Sequence, residues 1–527
     1  MLEYIPYGKT GYFSQLVTDF LGECQEIRPF YKYSPTHPDF SAAITARQQF
    51  DTPREALVAA LTEQYQTYNT DTAVSDNIQA LLQPGTFTVC TAHQPNIFTG
   101  YLYFVYKILQ TIKLANSLKE QYPTNNFVPV YYMGSEDNDL DELGSIYIDG
   151  KTLTWNTEQQ GPVGRMNPAS LEPLIAEVKK ALGYAPHANE LVELLQKAYL
   201  EHKTVQEATF FLVNALFGRF GLVVVIPDNP KLKQLYIPVM RDELWNQQSY
   251  SLVGNTLAEL PEHYKIQANP REINLFYLQD GMRERIVRQG AEWKVLHTSL
   301  TFDATSLEAE LTKHPERFSP NVILRGMFQE TILPNIAFIG GGGEIAYWLE
   351  LQQLFEHYRV PYPVLLLRNS LLLVDEFSRE RIKKLGLKVT TLFQPTEDII
   401  TGYVKQHTNA SLVLKDEYEA IEKLYDGLEE KAKSIDITLV ASVGAERKRA
   451  LKSIGKIEHK FLKAEKKKFA WQADQIRQLR SRLFPGNSLQ ERKENFMPWY
   501  AQEGPEFLDR VYDALIPVTD QFIILEE

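Results

Sequence analysis

His93, Gln94 and Asn96 crowd the loop "TAHQPN", where the strand-like run "TFTVCT" (86–91) gives way to a helix pattern. A histidine and two amides at a strand end, just ahead of a helix N-terminus, can hold an anion such as phosphate, helped by the free N–H groups and dipole of that helix. The bland alternative is a turn in which Pro95 breaks the strand and Asn96 or Thr99 caps the helix. Lys107 lies further into the helix, three turns from its start, and is a weaker candidate.

A second loop, "SEDNDLDE", sets Glu136, Asp137, Asp139, Asp141 and Glu142 within seven residues, with Asn138 among them. Carboxylates this dense repel unless a cation, an ammonium or a hydrogen-bond network compensates them. They could hold a substrate ammonium, a metal or sugar hydroxyls, or take a proton from an amine nucleophile. A solvated turn capping a helix is the alternative. The spacing lacks the glycine and distal glutamate of a calcium loop.

The third feature is "IGGGGEIA". Gly341, Gly342 and Gly343 follow a strand-like run and would let a ligand approach the backbone, or would simply make a loose turn. The fragment resembles a dinucleotide fingerprint but lies far from the first strand–helix–strand unit, where that fingerprint belongs. Arg325, after the strand-like "NVIL", could take a substrate carboxylate. No P-loop or H-E-x-x-H pair occurs. Cys90, three residues before His93, reads as a small core residue.

The elements that must position these groups are legible. After "TFTVCT", a helix from about Thr99 to Glu120 carries apolar Leu102, Val105, Tyr106, Leu109, Ile112 and Leu118, and "NFVPVYYMGSED" is a second buried strand. Strand, helix and strand in about 45 residues imply a parallel sheet, with ligands at the carboxyl ends of its strands. Both polar loops fall there. "GLVVVIPDNP", "NIAFIGGGGEIAYWLELQQLF" and "YPVLLLRNS" read as further strands of the same sheet. The expected division is residues 1–149, N-terminal segment and first half of the core; 150–320, an insertion with a returning strand near 221–227; and 321–411, the second half of the core. Residues 412–484 are rich in Lys and Glu, with near-heptad apolar spacing through Ile421, Leu424, Leu428, Ile435 and Leu439, then Leu451, Ile454 and Phe461. That predicts a coiled-coil hairpin with a break near "ASVGAE". Its basic run, which could meet RNA, reads as the wet face of that coil. Residues 485–527 are expected to pack back on the core.

The totals exclude several classes. The 527 residues are 44% hydrophobic and 23% charged, so a large core needs no staples. Two cysteines are too few for a disulfide framework or a Cys-rich zinc site, and no tightly bound metal is expected. A net charge of −12 argues against nucleic acid as a general partner. No secretory pattern opens the chain and no apolar window spans a membrane, so a cytoplasmic protein acting on small molecules is expected.

Together "TAHQPNIFTG", "YKILQTIKLA", "VPVYYMGSEDNDLDE", "LFGRFGLVVVIPDNPKLK", "NLFYLQDGMRERI", "ILPNIAFIGGGGEIAYW" and "LQERKENF" resemble the bacillithiol-biosynthesis cysteine-adding enzymes, BshC, over most of the chain from about residue 85. The resemblance implies an α/β fold: a Rossmann-like core similar to those of class I aminoacyl-tRNA synthetases, with connecting-peptide insertions and a coiled coil that makes a homodimer. It implies a ligase adding cysteine to glucosaminyl-malate. "TAHQ" would stand where the synthetases carry their histidine motif, and no K-M-S-K-S loop matches their second motif. Ala92 replaces the usual glycine of T-G-H-Q, and Asn138 the usual histidine of S-E-D-H-D. A carboxylate and an ammonium do not condense in water unaided, so ATP, with Mg²⁺, is the implied cofactor. On that reading His93 and Gln94 stabilise phosphate, with Asn96 beside them. Asp137 and Asp139 hold or deprotonate an amine, or hold Mg²⁺, and Glu136 and Asn138 shape the substrate site. Arg325 takes a carboxylate, and Gly341 to Gly343 admit the ligand. The alternative is a non-catalytic nucleotide-binding or scaffold protein of the same pathway.

Overall fold

Val89, Cys90, Val128 and Val130 have no solvent exposure, as expected of strands covered on both faces by helices. The computed structural model describes residues 2–410 and 412–527. Its central sheet has β1 (Thr86–His93), β2 (Asn126–Met133), β3 (Val223–Val225), β4 (Asn335–Gly340) and β5 (Val364–Leu367). Their spatial order is β5-β4-β1-β2-β3, and every neighbouring pair is parallel. The chain moves outward from β1 through β2 to β3, then returns to the other side of β1 for β4 and β5. Strand order therefore reverses between β1 and β4, and the crevice beyond their carboxyl ends is where such sheets take ligands.

α1 (Tyr103–Gln121) joins β1 to β2 and buries Val105, Ile108, Leu109 and Ile112. It starts four residues later than its pattern predicts. Ile97–Thr99 instead form a tight turn in which Phe98 (φ 50°) and Thr99 (φ 66°) are left-handed. That uncommon backbone is held by Tyr199 Oη on the Phe98 N–H (2.8 Å) and by Asn495 Nδ2 on the Phe98 carbonyl (2.9 Å). Neither Asn96 nor Thr99 caps α1. Strand β1 runs two residues further than "TFTVCT" and takes in Ala92 and His93.

α2 (Pro230–Gln234) follows β3, capped by Asn229. The insertion then adds an antiparallel sheet of Leu275–Gln279, Met282–Gln289, Glu292–Val295, Thr301–Phe302 and Phe318–Pro320. "NVIL" is not a strand: Asn321 caps α3 (Val322–Ile332), which carries Arg325. α4 (Gly342–Leu349) starts inside the glycine turn. Leu2–Pro6 pairs antiparallel with residues 521–525.

Two compact units result, Met1–Leu372 with Ser488–Leu525, and Leu373–Asn487 with Glu526–Glu527. Residues 373–410, grouped with the core by sequence, belong to the second unit. There α5 (Lys415–Ile435) and α6 (Leu439–Lys468) form a hairpin, cross-linked by Arg447 and Asp426 at 2.8 Å. The break falls at residues 436–438, where Asp436 accepts from the Thr438 N–H and hydroxyl, and not near "ASVGAE", which is helical. Leu424, Ile435 and Phe461 of the apolar pattern are 60%, 77% and 46% exposed, so the hairpin does not consume its own stripe.

Candidate active site

A cavity of about 870 Å³ opens where β1 and β4 end. His93, Gln94, Glu136, Asp137, Arg325 and Gly341 to Gly343 all line it, so residues 250 positions apart in the chain share one space.

His93 ends β1, and its backbone carbonyl is fixed by the Gly134 N–H (2.8 Å) and Tyr131 Oη (3.0 Å). The ring stands edge-on to Tyr103 and beside Phe104. Its Nε2 is buried and has no hydrogen-bond partner. Burial, then the nearby charges of Lys107, Arg368 and Arg325, holds the imidazole well below the usual histidine range, so it is neutral at physiological pH. The neighbouring Ala92 lies in β1 opposite Tyr132, in ordinary strand geometry, so no glycine is required there.

Gln94 Nε2 donates to Asp137 Oδ2 at 3.1 Å, tying the histidine loop to the acidic one. Glu136 is buried against Lys233 of α2, 2.5 Å away, and that lysine also donates to the Phe318 carbonyl. Burial pushes the Glu136 carboxyl up, against the pull of the lysine. The other members of the loop fall elsewhere. Asp139 Oδ1 accepts from the Glu142 N–H and caps the short helix Leu140–Leu143, outside the cavity lining. Asn138 is exposed and accepts from Arg283 Nη1 at 3.2 Å. Asn96, expected to bind substrate, is buried against Gly100 and donates to the Glu142 carbonyl. Its role in the fold is to hold the loop.

The glycine turn is needed for space, not for left-handed backbone: Gly341 has φ −71°. A Cβ on Gly342 would come within 2.9 Å of Val17 Cγ2. Glu344 Oε2 accepts the Gly341 N–H at 2.8 Å. Arg325 hydrogen-bonds Tyr347 Oη through Nη2, and its Nη1 is buried without a partner.

Three lining or supporting residues, Arg368, Arg492 and Glu491, are not singled out by the sequence, and a fourth, Lys107, is ranked too low by it. Lys107 lies one turn into α1, not three, and its ammonium bonds the Ala92 carbonyl (2.6 Å) and Glu344 (2.5 Å). A lysine inside an otherwise apolar helix stripe was the available signal. Arg368 and Arg492 line the cavity, and Glu491 bonds Arg368. An arginine directly after the apolar run "VLLL" carries the same signal as a histidine after "TFTVCT".

Buried, unpartnered nitrogens on His93 and Arg325, beside a turn with no side chains, fit an anionic group such as phosphate or carboxylate when the His93 proton sits on Nε2. Of the two carboxylates expected to hold an amine or Mg²⁺, Asp137 lines the cavity and Asp139 turns away to its cap. Among the described residues no group of three His, Cys, Asp or Glu is placed to hold a metal. No helix among them is long and apolar enough to cross a membrane.

A parallel sheet in this order, with a polar cavity at its reversal, defines a Rossmann-like ligand-binding protein. Residues 1–369 match the family model described as "Bacillithiol biosynthesis BshC, N-terminal Rossmann-like domain", and residues 371–527 match "Bacillithiol biosynthesis BshC, C-terminal coiled-coil domain". The chain belongs to the BshC family. A relative from Flavobacterium psychrophilum named "Putative cysteine ligase BshC" is 39% identical over 99% of both chains. One of the same name from Flavobacterium johnsoniae is also 39% identical over 99% of both. A solved structure titled as a "putative arginyl t-RNA synthetase" from Campylobacter jejuni is 11% identical, with a TM-score of 0.22, over 84% of this chain and 98% of that one. The fold assignment stands on the sheet order and the family models.

Proposed function

We propose that the protein is a ligase that joins the carboxylate of L-cysteine to the amine of glucosaminyl-malate, forming bacillithiol with ATP as the energy source. The relatives' names supply the reaction class. The observation that carries it to this site is the pairing, in one cavity, of unsatisfied anion donors with acidic groups. His93 Nε2 and Arg325 Nη1 are the donors, and Asp137, tied to Gln94 beside His93, is an acid within reach of solvent.

ATP would activate the cysteine carboxylate as an acyl-phosphate or acyl-adenylate. The chain's own work is then fivefold. His93 donates from Nε2 to the anion, as a neutral imidazole, in the tautomer that carries its proton there. Gly341 to Gly343 leave room for it. Arg325 takes a carboxylate of the malate group. Asp137, steadied by Gln94, holds the amine and accepts its proton as the C–N bond forms, while the acyl C–O bond breaks and phosphate or AMP leaves toward the His93 side of the cavity. Glu136, locked to Lys233, shapes the wall behind it. The unspent apolar stripe of the hairpin supports a homodimer through the coiled coil, in a cytoplasmic enzyme of small-molecule substrates.

Purified protein supplied with glucosaminyl-malate, cysteine and ATP should yield the thiol product by mass spectrometry. Intact substrates after prolonged incubation would sink the reading and favour a scaffold of the pathway. A His93→Ala protein that folds yet restores full thiol levels in cells would do the same.

A further inference from the structure

Arg368 follows β5 directly, and its N–H bonds the Gly340 carbonyl at 2.8 Å, beside the glycine turn. Its Nη2 donates to Glu491 Oε1 (2.7 Å) and its Nη1 to the Asn369 carbonyl (3.2 Å) and Ser370 Oγ (3.3 Å). Glu491 has no solvent exposure, and its second oxygen accepts the Leu371 N–H at 3.2 Å. With both Nη atoms held and one face of the guanidinium on the Tyr103 ring (4.7 Å), the Nε edge is turned to the glycine turn. A Cβ built on Gly341 would lie 3.6 Å from Nε.

Stability does not explain this arrangement. Buried ion pairs are often replaceable by apolar packing at no loss. What the pair does achieve is to fix a guanidinium edge in a cavity that already holds His93 and Arg325. Glu491 comes from the segment 488–496, which also supplies Arg492 to the lining and Asn495 to the Phe98–Gly100 backbone.

We propose that Arg368 is a phosphate-binding residue of the cavity, and that Glu491, reaching in from the C-terminal segment, is its positioning residue. This rests on the ATP-dependent reading above and names the wall that would take the phosphate chain.

The test is ATP binding by titration calorimetry on the full chain, run beside turnover. Arg368→Gln should weaken ATP binding by roughly 10- to 100-fold, the range for a charged hydrogen bond, and leave the KM for cysteine unchanged. Glu491→Gln should weaken it about tenfold, and the double variant should bind no worse than Arg368→Gln alone, because one residue acts through the other. Glu491→Asp, which keeps the charge and shortens the reach, carries the same expectation if Glu491→Gln does not fold. Wild-type ATP affinity in Arg368→Gln, additive losses in the double variant, or a loss confined to glucosaminyl-malate binding would each overturn the proposal. ATP binding that depends on Arg368 without any product would sink the ligase reading and leave this one standing.

Discussion

Lys107 Nζ lies 2.5 Å from Glu344 Oε2, so an ammonium on the helix after β1 is bonded to a carboxylate on the helix after β4. The pair spans the reversal of the sheet, and Glu344 in turn holds the Gly341 N–H. Lys107→Met would leave Glu344 and the Ala92 carbonyl without their cation. We expect a loss of about 3 kcal/mol, read by denaturant unfolding of the N-terminal unit. It should also raise the His93 pKa, since Lys107 is one of the charges holding it down. An imidazole titration by NMR unchanged from wild type would refute the coupling.

Asp137 and Asp139 sit two residues apart and should behave differently. Asp137→Asn removes the group bonded to Gln94 at the cavity and should cut turnover by about 10²- to 10⁴-fold. Asp139→Ala removes a helix cap and should cost about 1 kcal/mol of stability with turnover largely kept. Equal kinetic losses in the two variants would contradict the geometry.

Glu350 accepts the Gln267 and Ala268 N–H groups, and burial pushes its carboxyl up to about 7. Its folded pKa exceeds its unfolded one, so the folded state binds the proton more tightly. This stability is fully present below the unfolded value near 4.5 and is lost as pH rises through about 7. Glu350→Gln should flatten the fall in Tm over that window. Gln267 lines the cavity, so the same window is the one in which to measure ligand affinity.

Leu424 and Phe461 keep 60% and 46% of their surface exposed on the hairpin. If a second copy covers them, Leu424→Glu with Phe461→Glu should convert a dimer to a monomer in sedimentation, with helix content preserved. A monomeric wild type would dismiss the dimer.

Much of this was legible in the chain. Unbroken apolar runs such as "TFTVC" and "VLLL" mark strands buried on both faces, and polar residues at their ends mark the crevice. The run "TAHQPN" could be placed at that crevice because His93 is chemically conspicuous there, and His93 and Gln94 do line the cavity. Boundaries were harder, since the start of α1 depends on Asn495 and Tyr199, which lie far away in sequence. The split within "SEDNDLDE" was also hidden. Spacing cannot tell Asp137 from Asp139 until one carboxylate meets Gln94 and the other its own helix. Arg368 follows "VLLL" as His93 follows "TFTVCT", but its bond to Glu491, 123 positions later, leaves no mark in the local sequence.

That separation has a consequence for how the enzyme comes into being. A nascent chain that has emerged only through β5 holds all five strands of the parallel sheet, yet Arg368 has no carboxylate and Phe98–Gly100 no asparagine until residues 488–496 follow. Contacts between such distant residues are slow to close. The newly made protein should therefore acquire its shape before its competence, with the ligand pocket maturing among the last events of synthesis.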